Sequence, residues 1–263
     1  MTQGLRLCFA SASDPGQRHG TNEDSVYSSE GLVAVADGIG GHVYGEVASG
    51  AAIAAFVAAF YHREPAVPLA DRLADAVRDA GRRLDELVAN DPRMRGMGTT
   101  LTACAFDGAN CWFAHLGDSR AYLLRDGELR QLTSDHTMIQ LLIDEGRVTP
   151  EQAAEHPRRS MLTRALQGAA SAEPDVFAFP ASQGDRFLLC SDGLTDVLAD
   201  AELGAVLRDR VGRDRVDRAE VVAELVRLAN AGGGPDNITC VLADVCQVPE
   251  PSELSGAMPA GED

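Results

Sequence analysis

Residues 33–42 read VAVADGIGGH, an apolar run that stops abruptly at Asp37. The run is typical of a buried strand, and the glycines that follow it leave very little side chain around the carboxylate. A strand end of this kind, followed by a glycine-rich turn, indicates one of two sites, for a cofactor phosphate or for a metal ion. The rest of the chain distinguishes between the two.

Carboxylates stand at the ends of four further apolar segments. Glu23 and Asp24 precede one segment, Asp118 and Asp192 follow two others, and Asp236 precedes a fourth. Any one of them could be an ordinary turn residue. If the segment ends meet at one edge of packed sheets, however, the carboxylates repel each other, and bound cations make such a cluster tolerable. Because the set is all oxygen, without histidine or cysteine, it predicts the hard ions Mg²⁺ or Mn²⁺.

The glycine-rich turn does not match a nucleotide-binding loop. A dinucleotide fingerprint that starts at Gly38 would need glycine at the position of Val43, and no Lys-Ser or Lys-Thr pair follows, as a P-loop requires. The glycines instead suit a tight turn where backbone comes close to an ion, and a glycine carbonyl could itself be a ligand. The metal hypothesis is therefore preferred.

Short apolar segments predict strands that come mainly as neighbouring pairs. The predicted strands are 5–11, 25–28, 31–36, 99–106, 111–116, 120–125, 186–190 and 238–245. Helices are grouped between the pairs, and the clearest has an apolar stripe from Leu73 to Leu87. Thr149 and Asp217 begin capping boxes of two later helices, the second of which should end at the glycines 232–234. Paired strands with grouped helices favour the α+β class, with antiparallel sheets, over a doubly wound parallel sheet.

Composition narrows the class of protein. The 263 residues include 45% apolar residues and carry a formal net charge of −17. So acidic a surface repels nucleic acid and anionic lipid, and neither is expected as a partner. The six cysteines form no C-x-x-C pair, so we expect mostly buried free thiols in a reducing compartment. The N-terminus lacks a signal-peptide core, and the longest apolar run, 50–60, is too short to span a bilayer. We expect a soluble, cytoplasmic protein.

Several long motifs resemble those of the PP2C (PPM) serine/threonine phosphatases. In order they are RHGTNEDS, VAVADGIGGHVYGEVAS, GMGTTLTA, AHLGDSRAYLLRDGELRQLTSDHT, LLCSDGLTDVL and GGPDNITCVL. The stretch IDEGRVTPEQAAEHPRRSMLTRALQG is similar to the flap of bacterial members, which places a flap at about 136–170. The resemblance covers nearly all of 5–245 and implies one phosphatase domain at 1–247 with an α-β-β-α sandwich fold. Residues 248–263 are expected to form a disordered acidic tail.

The resemblance also implies a metal centre with two core ions, Mn²⁺ or Mg²⁺. Position by position, it implies that Asp37 bridges the two ions and that the Gly38 carbonyl is a ligand of one of them. Asp192 and Asp236 would complete the shell of the first ion. These three aspartates are therefore the candidate catalytic residues.

Three further carboxylates and a reaction follow from the same resemblance. Glu23 and Asp24 match an acidic pair that serves the centre directly or through water. Asp118 matches an aspartate that holds a third, weaker ion in bacterial members, together with the Asp192 position. The implied reaction is one-step hydrolysis of phosphoserine or phosphothreonine by a metal-bridging hydroxide, because two cations lower the pKa of shared water and stabilise phosphoryl charge.

The chain departs from the family pattern at the phosphate clamp. Members usually carry arginine three residues before the motif asparagine, but here His19 stands at that position before Asn22, and Arg18 lies one residue further away. Arg18 is the preferred clamp, because a guanidinium stays charged and can grip two phosphate oxygens. His19 is the alternative for substrate binding. A third possibility is that Arg18 is only a solvated charge.

The remaining polar residues of the motifs have structural interpretations. Asn237 is expected to hold the neighbouring carboxylate in its ligating rotamer. His42 is interpreted as a turn residue, His115 as a packed core histidine, and Thr99 and Thr100 as structural.

Other phosphatase chemistries do not fit the spacing. A cysteine-dependent phosphatase needs Cys-x₅-Arg, and none of the cysteines has arginine six places on. Histidine-ligated dimetal phosphoesterases need G-D-x-H-G, but Gly117-Asp118 is followed by Ser119-Arg120. The remaining alternative is a pseudophosphatase that binds phosphoproteins, and the complete set of acids favours the enzyme. The expected substrates are phosphorylated proteins, with a Hanks-type Ser/Thr kinase and its targets as partners implied by the resemblance.

Overall fold

A computed structural model describes residues 4–40, 44–154, 156–209 and 217–248. The strands within these ranges are β1 (Leu5–Asp14), β2 (Ser25–Ser28), β3 (Leu32–Ala36), β4 (Gly38–Ile39), β5 (Gly98–Thr99), β6 (Leu101–Phe106), β7 (Asn110–Leu116), β8 (Arg120–Arg125), β9 (Glu128–Gln131), β10 (Asp175–Pro180), β11 (Arg186–Cys190) and β12 (Ile238–Gln247). The α-helices are α1 (Tyr44–His62), α2 (Leu69–Asn90), α3 (Met138–Asp144), α4 (Pro150–Ala154), α5 (Asp192–Thr195), α6 (Asp200–Asp209) and α7 (Arg218–Ala231). The interpretation of His42 lies outside the described residues, as does the tail predicted at 248–263 except for Val248, which is described.

Ten of the strands form two five-stranded sheets that pack face to face. One sheet has the order β1-β12-β11-β8-β9 and the other β10-β7-β6-β3-β2, while β4 and β5 form a separate small pair. Every pairing is antiparallel, as the paired strand signals predicted. Val35, Phe113 and Phe187 belong to the apolar layer between the sheets. Helices α1 and α2 cover one outer face, and α5 to α7 cover the other. The fold is the expected α-β-β-α sandwich.

Helix α1 is a core helix. Its 19 residues are more than the apolar run 50–60 suggested, and of the helices described it alone is long and apolar enough to cross a membrane by length and composition. Its fully buried Ala48, Ala52 and Phe56 follow each other at four-residue steps on one face. That face packs against α2 and the sheet, so burial inside the domain accounts for the apolar sequence.

The predicted helix caps are confirmed. The backbone N–H of Thr149 donates to Oε1 of Gln152 at 3.0 Å, and the Gln152 N–H donates to Oγ1 of Thr149 at 3.4 Å, which is a reciprocal capping box at the start of α4. Asp217 accepts from the N–H of Ala219 at the start of α7, at 2.9 Å. Helix α7 then ends at Gly232, as the glycine cluster predicted.

The prediction of mostly buried free cysteines is confirmed as well. All six cysteines are free thiols, and four of them, Cys104, Cys111, Cys190 and Cys240, are buried within the sheets. Cys8 and Cys246, near the outer ends of β1 and β12, are half-buried.

Candidate active site

The structure brings the strand-end carboxylates together at one edge of the sandwich. Asp37 follows β3, Asp118 follows β7 and Asp192 comes two residues after β11. The carboxyl groups of Asp37 and Asp192 lie close enough for each to shift the pKa of the other, and the charges of Asp24 and Asp118 also act on Asp37. Asp236 acts on both Asp24 and Asp192, and its own side chain is half exposed. The expectation that these segment ends meet is therefore confirmed.

Burial and mutual repulsion disfavour the charged forms of these acids. Burial raises the pKa of Asp24 to about 7 and that of Asp118 to about 8, and in both cases the charge of Asp192 adds to the effect. Burial likewise raises the pKa of Asp192 to about 6, and it raises the pKa of Asp37 well above its ordinary value, with Asp192 and Asp24 as the next causes. A nearby cation would reverse this balance, because it favours the ionised carboxylates.

Two of the buried oxygens have no hydrogen-bond partner among the residues that the structure describes. Oδ1 of Asp24 and Oδ1 of Asp192 are buried and accept no hydrogen bond, although buried polar atoms are normally satisfied. In the described part of the chain, no three His, Cys, Asp or Glu side chains already form a ligand group for one ion. A cation here would therefore need backbone carbonyls and water as further ligands. Unsatisfied, all-oxygen donors of this kind fit Mg²⁺ or Mn²⁺.

Gly38 has to be glycine because three backbone segments meet there. A Cβ at this position would collide with the carbonyl oxygens of Glu23 and Gly45. The Glu23 carbonyl is held from the other side by the hydroxyl of Ser49, which donates to it at 2.6 Å. The glycine thus allows the turn after Asp37 to lie directly against the acidic segment before β2.

Two threonines hold the backbone of Asp37, and a serine binds one of these threonines. The Asp37 N–H donates to Oγ1 of Thr100 at 2.9 Å, and Oγ1 of Thr99 donates to the Asp37 carbonyl at 2.8 Å. The hydroxyls of Thr100 and Ser119 are 2.7 Å apart and fully buried, which ties the Asp37 turn to the loop that carries Asp118. The structural roles expected for Thr99 and Thr100 are confirmed.

Ser191 supports Asp24, a role that the sequence did not indicate. Its Oγ donates to Oδ2 of Asp24 at 2.7 Å and accepts from the backbone N–H of Thr239 at 3.0 Å. The bond spans 167 residues of sequence, so only the tertiary structure reveals it. The adjacency of Ser191 to Asp192 is the one signal in the sequence that could have pointed to it.

Asn237 contacts Asp236 in a different way from the expected one. Its backbone N–H, and not its side chain, donates to Oδ1 of Asp236 at 2.8 Å. Its side-chain carbonyl accepts from the Glu23 N–H at 2.8 Å, and its amide donates to the carbonyls of Pro15 and Thr21 at 2.9 and 3.1 Å. The side chain therefore fixes the loop before β2, and through that loop the position of the acidic pair.

His19 and Arg18 lie beside the centre in different environments. Nε2 of His19 is 3.5 Å from Oδ1 of Asp236, and both side chains are about half exposed. Arg18 is exposed, and no hydrogen bond or ion pair recorded among the described residues involves it. Its guanidinium is thus available to an incoming anion, while His19 already has a carboxylate neighbour.

A cleft of about 460 Å³ extends from the carboxylates beneath the predicted flap segment. Its floor includes Asp118 and Asp192, and its other wall includes Ile139 and Ile143 of α3. Arg120, next to the floor, forms a bidentate ion pair with Asp135, with N···O distances of 2.6 to 3.0 Å. The site is therefore an acidic, partly covered cleft, and the guanidinium of Arg120 is already paired with the carboxylate of Asp135.

Comparison with known proteins identifies the family. A family model described as Protein phosphatase 2C matches residues 18–242, and the chain belongs to that family. The chain is 48% identical over 241 residues to the serine/threonine protein phosphatase PstP of Mycobacterium tuberculosis, a match that covers 92% of this chain and 45% of PstP. It is 34% identical over 240 residues to the serine/threonine phosphatase stp of Listeria innocua, which covers 88% of this chain and 93% of that protein.

Solved structures agree with the fold. The catalytic domain of PstP, whose crystal structure contains two manganese ions, superimposes with a TM-score of 0.83 at 45% sequence identity. That superposition covers 92% of this chain and all of the crystallised one. The chain thus spans less than half of full-length PstP, and the part it matches is the catalytic domain.

Proposed function

We propose that this chain is a metal-dependent protein phosphatase that hydrolyses phosphoserine and phosphothreonine. The observation that carries the proposal is the set of buried, mutually repelling carboxylates around Asp37 and Asp192, two of which present unpartnered oxygens. The kinship with named serine/threonine phosphatases supports it, as does the complete set of acids, which a pseudophosphatase would not need.

The core ions would be held by Asp37, the carbonyl of Gly38, Asp192 and Asp236. Asp37 would be the ligand shared by both ions, because the charges of Asp192, Asp24 and Asp118 all act on its carboxyl group. When bound, Mn²⁺ or Mg²⁺ supplies positive charge that acidifies water and stabilises the phosphoryl transition state. The chain's own contribution is to fix the backbone of Asp37 through Thr99 and Thr100.

Further acids complete the proposed centre. Glu23 and Asp24 would serve the ions directly or through water, and the buried Asp24 is oriented by Ser191. Asp118, in the floor of the cleft, is the proposed ligand of a third ion. Asn237 positions the acidic pair through the Glu23 N–H.

On the substrate side, Arg18 is the proposed clamp for phosphate and His19 the alternative. The proposed substrates are phosphorylated proteins in the cytoplasm, and a Hanks-type Ser/Thr kinase would be the natural counterpart. Residues 1–247 would form the phosphatase domain, with a flap at about 136–170. No role for nucleic acid or membrane lipid is proposed, since a chain with a net charge of −17 repels both.

The test is turnover of a phosphothreonine peptide before and after chelation. We expect no activity in excess EDTA and full activity after Mn²⁺ or Mg²⁺ is restored. Asp37→Asn should lower kcat by about 10² to 10³, the effect of removing a key electrostatic group. Asp126→Asn, in an exposed turn with positive φ that asparagine also tolerates, is the matched control and should keep wild-type turnover. Full turnover in EDTA, or an unimpaired Asp37→Asn enzyme, would contradict the proposal.

A further inference from the structure

His136 and Gly117 are joined by two reciprocal hydrogen bonds. The backbone N–H of His136 donates to the Gly117 carbonyl at 2.8 Å, and the backbone N–H of Gly117 donates to Nδ1 of His136 at 3.0 Å. Gly117 immediately precedes Asp118, and His136 immediately precedes Thr137, the N-cap of α3. The pair therefore connects the loop that carries Asp118 to the beginning of the flap.

The two bonds act on a peptide that has little freedom to move. Gly117 has φ of +115°, a region that residues with a side chain rarely adopt, and a Cβ there would collide with Thr100. The loop is thus enclosed by Thr100 on one side and His136 on the other. Because Thr100 also binds the backbone of Asp37, a shift at Gly117 would displace both the Asp118 loop and the turn at Asp37.

The tautomer of His136 follows from its partners. A backbone N–H can only donate, so Nδ1 must be the acceptor and the proton lies on Nε2. Nε2 then donates to Oδ2 of Asp175 at 3.0 Å. Nη1 of Arg164 donates to the other oxygen of that carboxylate at 2.9 Å and also lies 2.8 Å from Nε2, so the guanidinium packs against the ring at this point. Since the ring is only 8% exposed, the imidazole is locked in one orientation by Gly117 and Asp175 together.

The same residue closes the base of the flap. The N–H of Thr163 donates to the His136 carbonyl at 2.8 Å, and the N–H of Met138 donates to the Met161 carbonyl at 2.8 Å. We call this antiparallel contact of 136–138 with 161–163 the flap neck. His136 therefore belongs at once to the flap neck and to the support of the Asp118 loop.

We propose that His136 is a positioning residue that fixes the Asp118 loop to the flap neck, so that the Asp118 carboxylate keeps its orientation towards a bound cation. The inference rests on the proposed function for the identity of the cation, but its geometric part does not. Side chains that orient metal ligands from behind typically change metal affinity by 10- to 100-fold when they are removed.

Two substitutions separate the bonds of the imidazole. In His136→Asn the amide oxygen can take the place of Nδ1 and accept from Gly117, while the bond to Asp175 is lost. In His136→Gln the longer amide can take the place of Nε2 and reach Asp175, while Gly117 loses its acceptor. His156→Gln is the matched control, because Nδ1 of this flap histidine also accepts from a backbone N–H, that of Arg158 at 3.2 Å, outside the flap neck.

The first measurement is amide hydrogen exchange of the metal-free proteins. We expect His136→Gln to speed exchange in peptides that cover 117–119 and 137–163, and His136→Asn to protect 117–119 as the wild type does. The second is a Mn²⁺ binding isotherm, in which the weakest class of sites should lose about 10-fold in affinity in His136→Gln and less than about 3-fold in His136→Asn. The control should match the wild type in both measurements.

The outcomes discriminate the inference from the proposed function. If His136→Asn and His136→Gln have the same exchange rates at 117–119, whether both are faster than the wild type or both match it, the role of the Gly117 bond would be overturned. Unchanged Mn²⁺ binding in His136→Gln, or a wild type without a weaker class of sites, would overturn the link to the cation. A wild type that binds no Mn²⁺ at all would instead contradict the proposed function, and the exchange measurement would still decide whether His136 holds the loop.

Discussion

Two neighbouring side chains, Arg18 and His19, are the candidates for the proposed phosphate clamp. The structure separates them by environment, since His19 lies 3.5 Å from Asp236 and Arg18 is exposed without a recorded partner among the described residues. A guanidinium with no partner in the protein has no ion pair to break before it binds an anion. This difference favours Arg18 for the clamp.

Arg18→Ala should therefore raise KM for a phosphopeptide by about tenfold, with a smaller fall in kcat, because a charged hydrogen bond contributes about 1.5–3 kcal/mol to binding. The KM of Arg18→Lys should lie between that of the wild type and that of Arg18→Ala, since lysine keeps the charge but cannot bind two oxygens at once. Steady-state kinetics at saturating Mn²⁺ provide the measurement. His19→Ala is the control and should leave KM within about twofold of the wild type. A raised KM in His19→Ala with an unchanged KM in Arg18→Ala would show that His19, and not Arg18, binds the phosphate.

Single residues also show where inference from sequence ends. The carboxylates could be found because each stands beside an apolar segment, and the end of such a segment can be recognised from the sequence alone. Ser191, His136 and the side chain of Asn237 act across contacts that join distant parts of the chain, for example 214 residues apart for Asn237 and Glu23. The local sequence shows at most that Ser191 and Asn237 stand next to candidate ligands, and it does not show which distant groups these side chains contact.

At the scale of elements, the central strands and the edge strands β1 and β2 were predictable, but two other edge strands were not. β9 and β10 were missed, and each lies at the edge of its sheet. β9 reads ELRQ, with exposed and half-buried residues in alternation, and β10 ends at Pro180, a residue that edges tolerate. Strands with one free edge carry polar residues that look like loop sequence. The predicted strand 99–106 is likewise interrupted at Thr100, where the chain turns to hold Asp37.

Helix α1 gives an element-scale prediction. Phe56→Ala should lower the free energy of unfolding by about 3–5 kcal/mol, because Phe56 is fully buried and its removal leaves a cavity. Ala58→Lys, on the exposed side of the same helix, should change it by less than about 0.5 kcal/mol. Urea unfolding followed by circular dichroism gives both values. A severe effect of Ala58→Lys with a mild effect of Phe56→Ala would mean that the exposed side of α1 is covered by something other than water.

For the whole molecule, the described fold reaches its last paired residues just before the acidic tail predicted at 248–263. β12 ends at Gln247, and the Val248 N–H donates to the Gly4 carbonyl at 2.8 Å. We expect a chain cut after Val248 to keep its melting temperature within about one degree and its kcat unchanged, since the removed sequence offers almost no apolar residues to a core. Differential scanning calorimetry and peptide turnover check the two values. A loss of several degrees would show that the tail docks on the domain.

The flap neck has a further consequence for how this fold can diversify. The chain enters the flap bound to Gly117 and leaves it bound to Thr99, with which Leu166 exchanges two backbone hydrogen bonds. Both anchor points lie beside the proposed metal centre, so the segment between them begins and ends at fixed positions. Lengthening a closed loop is inexpensive, at about 0.6 kcal/mol for each doubling. The part of the flap between the two anchor points can therefore accept insertions and new surface residues. Because the anchor points stay in place, such changes could alter the preference for substrates and leave the proposed metal centre intact.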